Sequence, residues 1–139
     1  MSRPVRMGVA GVGRIGRMHA ANIAAHPRAQ LGGVFDLHRP AAEEVSASLN
    51  ARLYDSADAV LASGDVDAVL IASSTPTHAD LLEAAVAAGK PVLCEKPISM
   101  SAKEAAKLRK IPKGIYVAEA FMVRHSLQWL AARALAKKG

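Results

Sequence analysis

A glycine-rich turn between an apolar strand and a helix constrains this chain more than any other feature: residues 8–22 read GVAGVGRIGRMHAAN. The stretch before it, VRMGVAG, has the short apolar run of a buried strand, and the stretch after it, RIGRMHAANIAA, has the length and composition of a helix. Gly11, Gly13 and Gly16 stand in G-x-G-x-x-G spacing, with Arg14 and Ile15 between the second and third. In a strand-turn-helix unit each glycine has a use. The first permits the tight turn, the second lets the backbone approach a pyrophosphate, and the third lets the helix sit on the strand. The spacing alone fits a flexible turn equally well, so the surroundings must decide.

Along the rest of the chain, apolar runs of strand length alternate with Ala/Leu-rich stretches of helix length, joined by Gly, Pro, Asp or Ser. Strands are predicted near Val5–Ala10, Gln30–Phe35, Arg52–Tyr54, Ala68–Ala72, Val92–Cys94 and Ile115–Ala118. Helices are predicted near Arg14–Ala25, Ala41–Leu49, Ala57–Leu61, Thr77–Ala88, Ala102–Lys110 and Leu127–Lys137. The expected fold is α/β, a three-layer doubly wound arrangement with a mostly parallel sheet of about six strands. Thr75-Pro76 predicts a hydroxyl cap followed by proline at the first helical position, Gly89 a left-handed helix end, and Ser101 to Glu104 a capping box.

Asp36 follows the second predicted strand, 20 residues after Gly16, where a carboxylate can accept hydrogen bonds from the adenosine ribose hydroxyls of a dinucleotide. The same residue is also consistent with a carboxylate ahead of a helix and no ligand. A carboxylate there repels a 2′-phosphate, so NAD is expected over NADP; Arg39, three residues on, is the one nearby group that would favour the phosphate. Ligands of doubly wound sheets bind beyond the carboxyl ends of the strands, and three of those ends read GVGRIG, SSTPTH and CEKP.

Composition excludes other classes. No apolar run reaches the roughly 20 residues of a membrane helix, the N-terminus lacks the order of a signal peptide, and Cys94 is the only cysteine. A cytoplasmic address is therefore expected. The net charge of +6 comes from residues 103–139, with 9 Lys/Arg against 2 Asp/Glu (+7), while residues 1–102 carry 9 against 10 (−1). A basic tail without interleaved aromatics reads as a solvated face, so no nucleic-acid partner is expected. Nucleophile-elbow, P-loop and zinc-protease motifs are missing, and His19 with His26 makes a poor metal site.

Taken together, residues 5–136 resemble the nucleotide-binding domain of the Gfo/Idh/MocA oxidoreductases, most specifically in IASSTPTHADLLEAAVAAGKPVLCEKPIS, residues 71–99. The resemblance implies a Rossmann fold and an NAD-dependent dehydrogenase that transfers hydride at a secondary alcohol of a sugar or an inositol-like polyol. It implies that Ser74, Thr75, Pro76 and His78 border the cofactor crevice. Glu95, Lys96 and Pro97 would border the nicotinamide and substrate, with Lys96 catalytic and the bond before Pro97 often cis. From the residues alone, Lys96 reads equally as a surface lysine, and His78 as an exposed residue of a helix's first turn. AEAFMVRH, residues 118–125, points to a different branch of the family than SSTPTHAD does, and Arg124 is read as solvated.

The expected organisation is a dinucleotide-binding domain over 1–122 and a basic C-terminal helix over 123–139. By resemblance that helix leads toward a second domain, which in the family supplies the substrate pocket, an acid/base histidine and the homo-oligomer interface. The alternative from another class is a catalytically silent NAD-binding module or a truncated fragment.

Overall fold

Apolar runs form the strands β1 (Val5–Ala10), β2 (Ala29–Phe35), β3 (Ala68–Ile71), β4 (Val92–Cys94) and β5 (Val117–Glu119). Among the described residues six α-helices lie among and after them: α1 (Arg14–Ala25), α2 (Arg39–Leu49), α3 (Ala57–Ala62), α4 (His78–Ala87), α5 (Ala102–Lys107) and α6 (Leu127–Ala136). The structure, a computed structural model, describes residues 3–138. The strands pair in parallel in the order β2-β1-β3-β4-β5. A parallel sheet needs cover on both faces, and β3 shows how the sequence meets that need, with no polar residue in Ala-Val-Leu-Ile. Leu70 packs with Val9, Ala20 and Ile23 beneath α1 and α2, while Val69 and Ile71 pack with Val60 and Leu82 from α3 and α4 on the other face. The result is three layers. Helix α6 contributes no buried residue.

The sixth strand expected at Arg52–Tyr54 is not formed. The segment touches the sheet at one parallel bridge, Leu53 to Val34, with the Val34 N–H donating to the Arg52 carbonyl at 2.8 Å and the Tyr54 N–H to the Val34 carbonyl at 2.9 Å. It turns away because Tyr54 leaves the sheet line for the other core, where its hydroxyl lies 2.7 Å from Ser63 Oγ. Counted as an edge position outside β2, it extends the order to the 3-2-1-4-5-6 pattern of dinucleotide-binding sheets.

Of the three helix-end signals in the sequence, two are met and one is not. Gly89 takes φ +72 and closes α4: its N–H donates to Val86 and that of Lys90 to Ala85, the paired bonds of a Schellman end. Ser101 Oγ accepts from the Glu104 N–H at 3.2 Å, and the Glu104 carboxylate accepts from Met100. The exception is Thr75, which does not cap α4. A one-turn 3-10 helix over Thr75–Thr77 comes first, and Thr77 Oγ1 bonds the Ser74 carbonyl and Ser73 Oγ instead. Proline at the second position of that turn suits its tighter winding without requiring the hydroxyl cap.

Register aligns the strand ends. Phe35, Ala10, Ile71, Cys94 and Glu119 lie in one row across the sheet, so the residues after them emerge on a common edge. At the opposite end, Asp67 accepts from the Arg3 and Arg6 guanidiniums at 2.6–3.1 Å and from the Arg6 N–H at 2.9 Å, pinning the start of β1 to that of β3. Hydrogen bonds from Arg3 and Arg6 hold the Asp67 carboxyl well below the usual carboxylate range. A depressed folded-state pKa stabilises the fold above the unfolded value, near pH 4, and the benefit is lost as pH falls below it. Asp67→Asn is therefore expected to lower the melting temperature by a few degrees at neutral pH, with the gap to the parent chain shrinking steadily in melts taken below about pH 4.

Candidate dinucleotide site

The turn after β1 separates what the fold demands of its glycines from what it does not. Gly11 holds φ +96, and a Cβ there would stand 2.6 Å from Ala72 C and Ser73 Cα. A Cβ on Gly16 would overlap the Gly11 carbonyl. Packing within the chain thus accounts for both. Gly13 differs: a Cβ there meets nothing within 4 Å, and its backbone is in an ordinary extended conformation. No side chain caps the first turn of α1, and no acidic residue lies in it. The open space beside Gly13 and the free N–H groups of that turn fit the pyrophosphate of a dinucleotide.

Asp36 leaves β2 beside this turn. Its Oδ2 accepts from the Val12 N–H at 2.7 Å and its Oδ1 from the His38 N–H at 2.8 Å. The carboxylate therefore both fixes the glycine turn and precedes α2, and the remaining lone pairs can meet ribose hydroxyls. It lines a crevice of about 460 Å³ with Gly11, Leu37, Asp58, Ser73 and Ser74. Arg39, the residue that would favour a 2′-phosphate, pairs with Glu43 at 2.9 Å and Asp55 at 2.7 Å.

The turn after β3 carries Ser74, Thr75 and Pro76 along the same edge, with Ser74 in the crevice wall. His78 is not the exposed first-turn residue that spacing allows. It is 1 % exposed, with Nδ1 2.8 Å from the Pro97 carbonyl and Nε2 3.0 Å from that of Ser73. Both facing atoms are acceptors, so the ring proton has a partner in either tautomer. His78 joins the β3 turn to the Glu95–Pro97 turn. His78→Ala is expected to cost about 2–4 kcal/mol in denaturant unfolding through the hole and the lost donor. His78→Leu, which keeps most of the bulk, should recover about half.

The turn after β4 is held from three sides. His78 faces Pro97, the Glu119 carboxylate accepts from the Ile98 N–H at 2.9 Å, and Glu95 accepts from His19 Nε2 at 2.7 Å and from the Lys96 N–H at 3.1 Å. The Lys96–Pro97 bond is cis, and Lys96 is exposed at the edge. Cys94 is fully buried, and burial, helped by Glu119 and Glu95, pushes its thiol up to about 12.

One edge thus collects Gly11, Gly13, Arg14, Ile15, Gly16, Asp36, Ser74, Thr75, Pro76, Glu95 and Lys96, with Arg14 exposed and Ile15 half-buried at the start of α1. Sequence reasoning missed His19 and Glu119. The partner of His19 lies 76 residues away and that of Glu119 21, and neither contact has a local spacing signal.

The pattern of an oxidoreductase family with an NAD-binding Rossmann fold, Gfo/Idh/MocA, matches residues 5–114. Inositol 2-dehydrogenase of Rhizobium meliloti is 39 % identical over 107 residues, 77 % of this chain and 32 % of that protein. UDP-N-acetylglucosamine 3-dehydrogenase of Acidithiobacillus ferrooxidans is 46 % identical over 101 residues, 73 % of this chain and 31 % of that one. Scyllo-inositol dehydrogenase of Lactobacillus casei, solved with NAD(H) and scyllo-inositol, superposes with TM-score 0.92 at 26 % identity, covering 99 % of this chain and 42 % of the other. The chain spans about a third of the length of the first two relatives. Among the described residues no helix is long and apolar enough to cross a membrane. With its glycine turn, Asp36 carboxylate and E-K-P turn on one edge of a parallel Rossmann sheet, and the family pattern matching residues 5–114, this chain belongs to the Gfo/Idh/MocA oxidoreductase family.

Proposed function

We propose that this chain supplies the cofactor half of a dehydrogenase acting on a secondary alcohol of a sugar or inositol-like polyol. The observation that carries the reading is the unfilled space beside Gly13, set between Asp36 on one side and Lys96 on the other. Gly11, Gly13 and Gly16 hold the pyrophosphate with Arg14 and Ile15, Asp36 takes the ribose, and Ser74, Thr75 and Pro76 form the middle of the crevice. Bound NAD supplies the hydride acceptor. The substrate's carbon gives up its hydrogen with the bonding pair, and the hydroxyl proton leaves to water as the C=O bond forms. The Lys96 ammonium donates to that oxygen as negative charge grows on it. The inositol class rests on the relatives' substrates.

A second reading is an NAD-binding module without turnover of its own. Calorimetric titration of NAD followed by incubation with myo-inositol separates the two. Binding that weakens about tenfold in Asp36→Ala supports the dinucleotide site. NADH formation then supports the dehydrogenase, and binding without NADH supports the module. A cooperatively folded chain that binds no NAD sinks both.

A further inference from the structure

We infer that His19 is a positioning residue: it links the helix that receives the dinucleotide to the turn that carries Lys96. This rests on the dinucleotide reading above. His19 lies on the second turn of α1, and Glu95 is the first residue after β4. The His19 Nε2–H donates to Glu95 Oε1 at 2.7 Å, with side chains only 21 % and 16 % exposed. Such a bond is shielded from the water that makes most surface pairs worth little. Among the described residues it is the one side-chain hydrogen bond joining α1 to the Glu95–Pro97 turn.

The second carboxylate oxygen of Glu95 accepts from the backbone N–H of Lys96. With one oxygen held by His19 and the other by that N–H, Glu95 can neither swing away from the turn nor capture the neighbouring ammonium. No ion pair among the described residues includes Lys96. His19 therefore does two things at once. It fixes the direction of the backbone at Lys96, and it reserves the Lys96 ammonium for a substrate oxygen. Because α1 begins at the phosphate turn, an anion that orders its first turn also orders the far end of this link. A packing histidine would do neither, and glutamine, whose amide nitrogen reaches about as far as Nε2, distinguishes the two roles.

The test is amide hydrogen exchange of Lys96, followed by NMR in this chain, in His19→Ala and in His19→Gln, each with and without NAD. His19→Ala should speed exchange at Lys96 by about tenfold, while His19→Gln stays within about threefold of the parent and melting temperatures change little. NAD should slow the Lys96 amide in the parent and in His19→Gln but not in His19→Ala. His19→Leu, which keeps the bulk on α1, provides the same contrast if His19→Ala does not fold. Equal exchange in the parent and His19→Ala, equally fast exchange in the alanine and glutamine variants, or NAD that binds without slowing the amide would each overturn the proposal. If NAD does not bind at all, the dinucleotide reading fails, and the ligand-free comparison still decides whether His19 holds Lys96.

Discussion

Gly13→Ala is expected to weaken NAD binding by at least about tenfold while lowering the melting temperature by only about 2–4 °C, whereas Gly16→Ala destabilises the fold by at least about 3 kcal/mol. The contrast follows from what an added methyl group meets. At Gly16 it would overlap the Gly11 carbonyl, which the turn cannot move without breaking the Gly11 N–H bond to Phe35 at 2.8 Å. At Gly13 it enters open space, and alanine in place of glycine at this N-cap costs the fold only about 0.5–1 kcal/mol. Any larger penalty at Gly13 must then come from a group outside the chain. Thermal melts and calorimetry on the same preparations read both effects. A Gly13→Ala variant that binds NAD as tightly as the parent would mean the turn leaves that space for no ligand, and the glycines would be structural alone.

The elements that local physics specifies were legible. β1, α1 and the turn between them occupy the predicted residues because an apolar strand, three glycines and an amphipathic helix follow each other directly. Gly89 ends its helix in the left-handed conformation that its place after an Ala/Leu run suggests. Arg52–Tyr54 was misread because alternation over three residues cannot show that the middle one makes a single bridge while Tyr54 turns toward Ser63. The candidate site was legible where its residues sit in the turns after the strands, and illegible where they contact each other across the sheet. His78 illustrates the second case. Its first-turn position suggests exposure, and only the convergence of the β3 and β4 turns, 19 residues apart at Pro97, buries the ring. Glu119 and His19 act on the same turn from β5 and α1, brought there by the common row of strand ends. A motif names the residues that meet the ligand; the fold supplies those that hold them still.

Lys96→Ala is expected to lower NADH formation from a polyol by about 10²–10⁴-fold while leaving the NAD dissociation constant within about threefold. Its backbone is fixed by Glu95, and the next turn residues by Glu119 and His78, so removing the side chain beyond Cβ disturbs none of the bonds that shape the turn. The lost rate is then the lost interaction with the reacting oxygen. Lys96→Arg separates charge from fit: the guanidinium keeps the positive charge but is planar and larger, so it should recover less than about a tenth of the parent rate. If Lys96→Ala instead weakens NAD binding and turnover by the same factor, the lysine contributes to binding the cofactor rather than to the chemical step. If neither changes, Lys96 is a surface residue, and the reacting hydroxyl must be met by other groups.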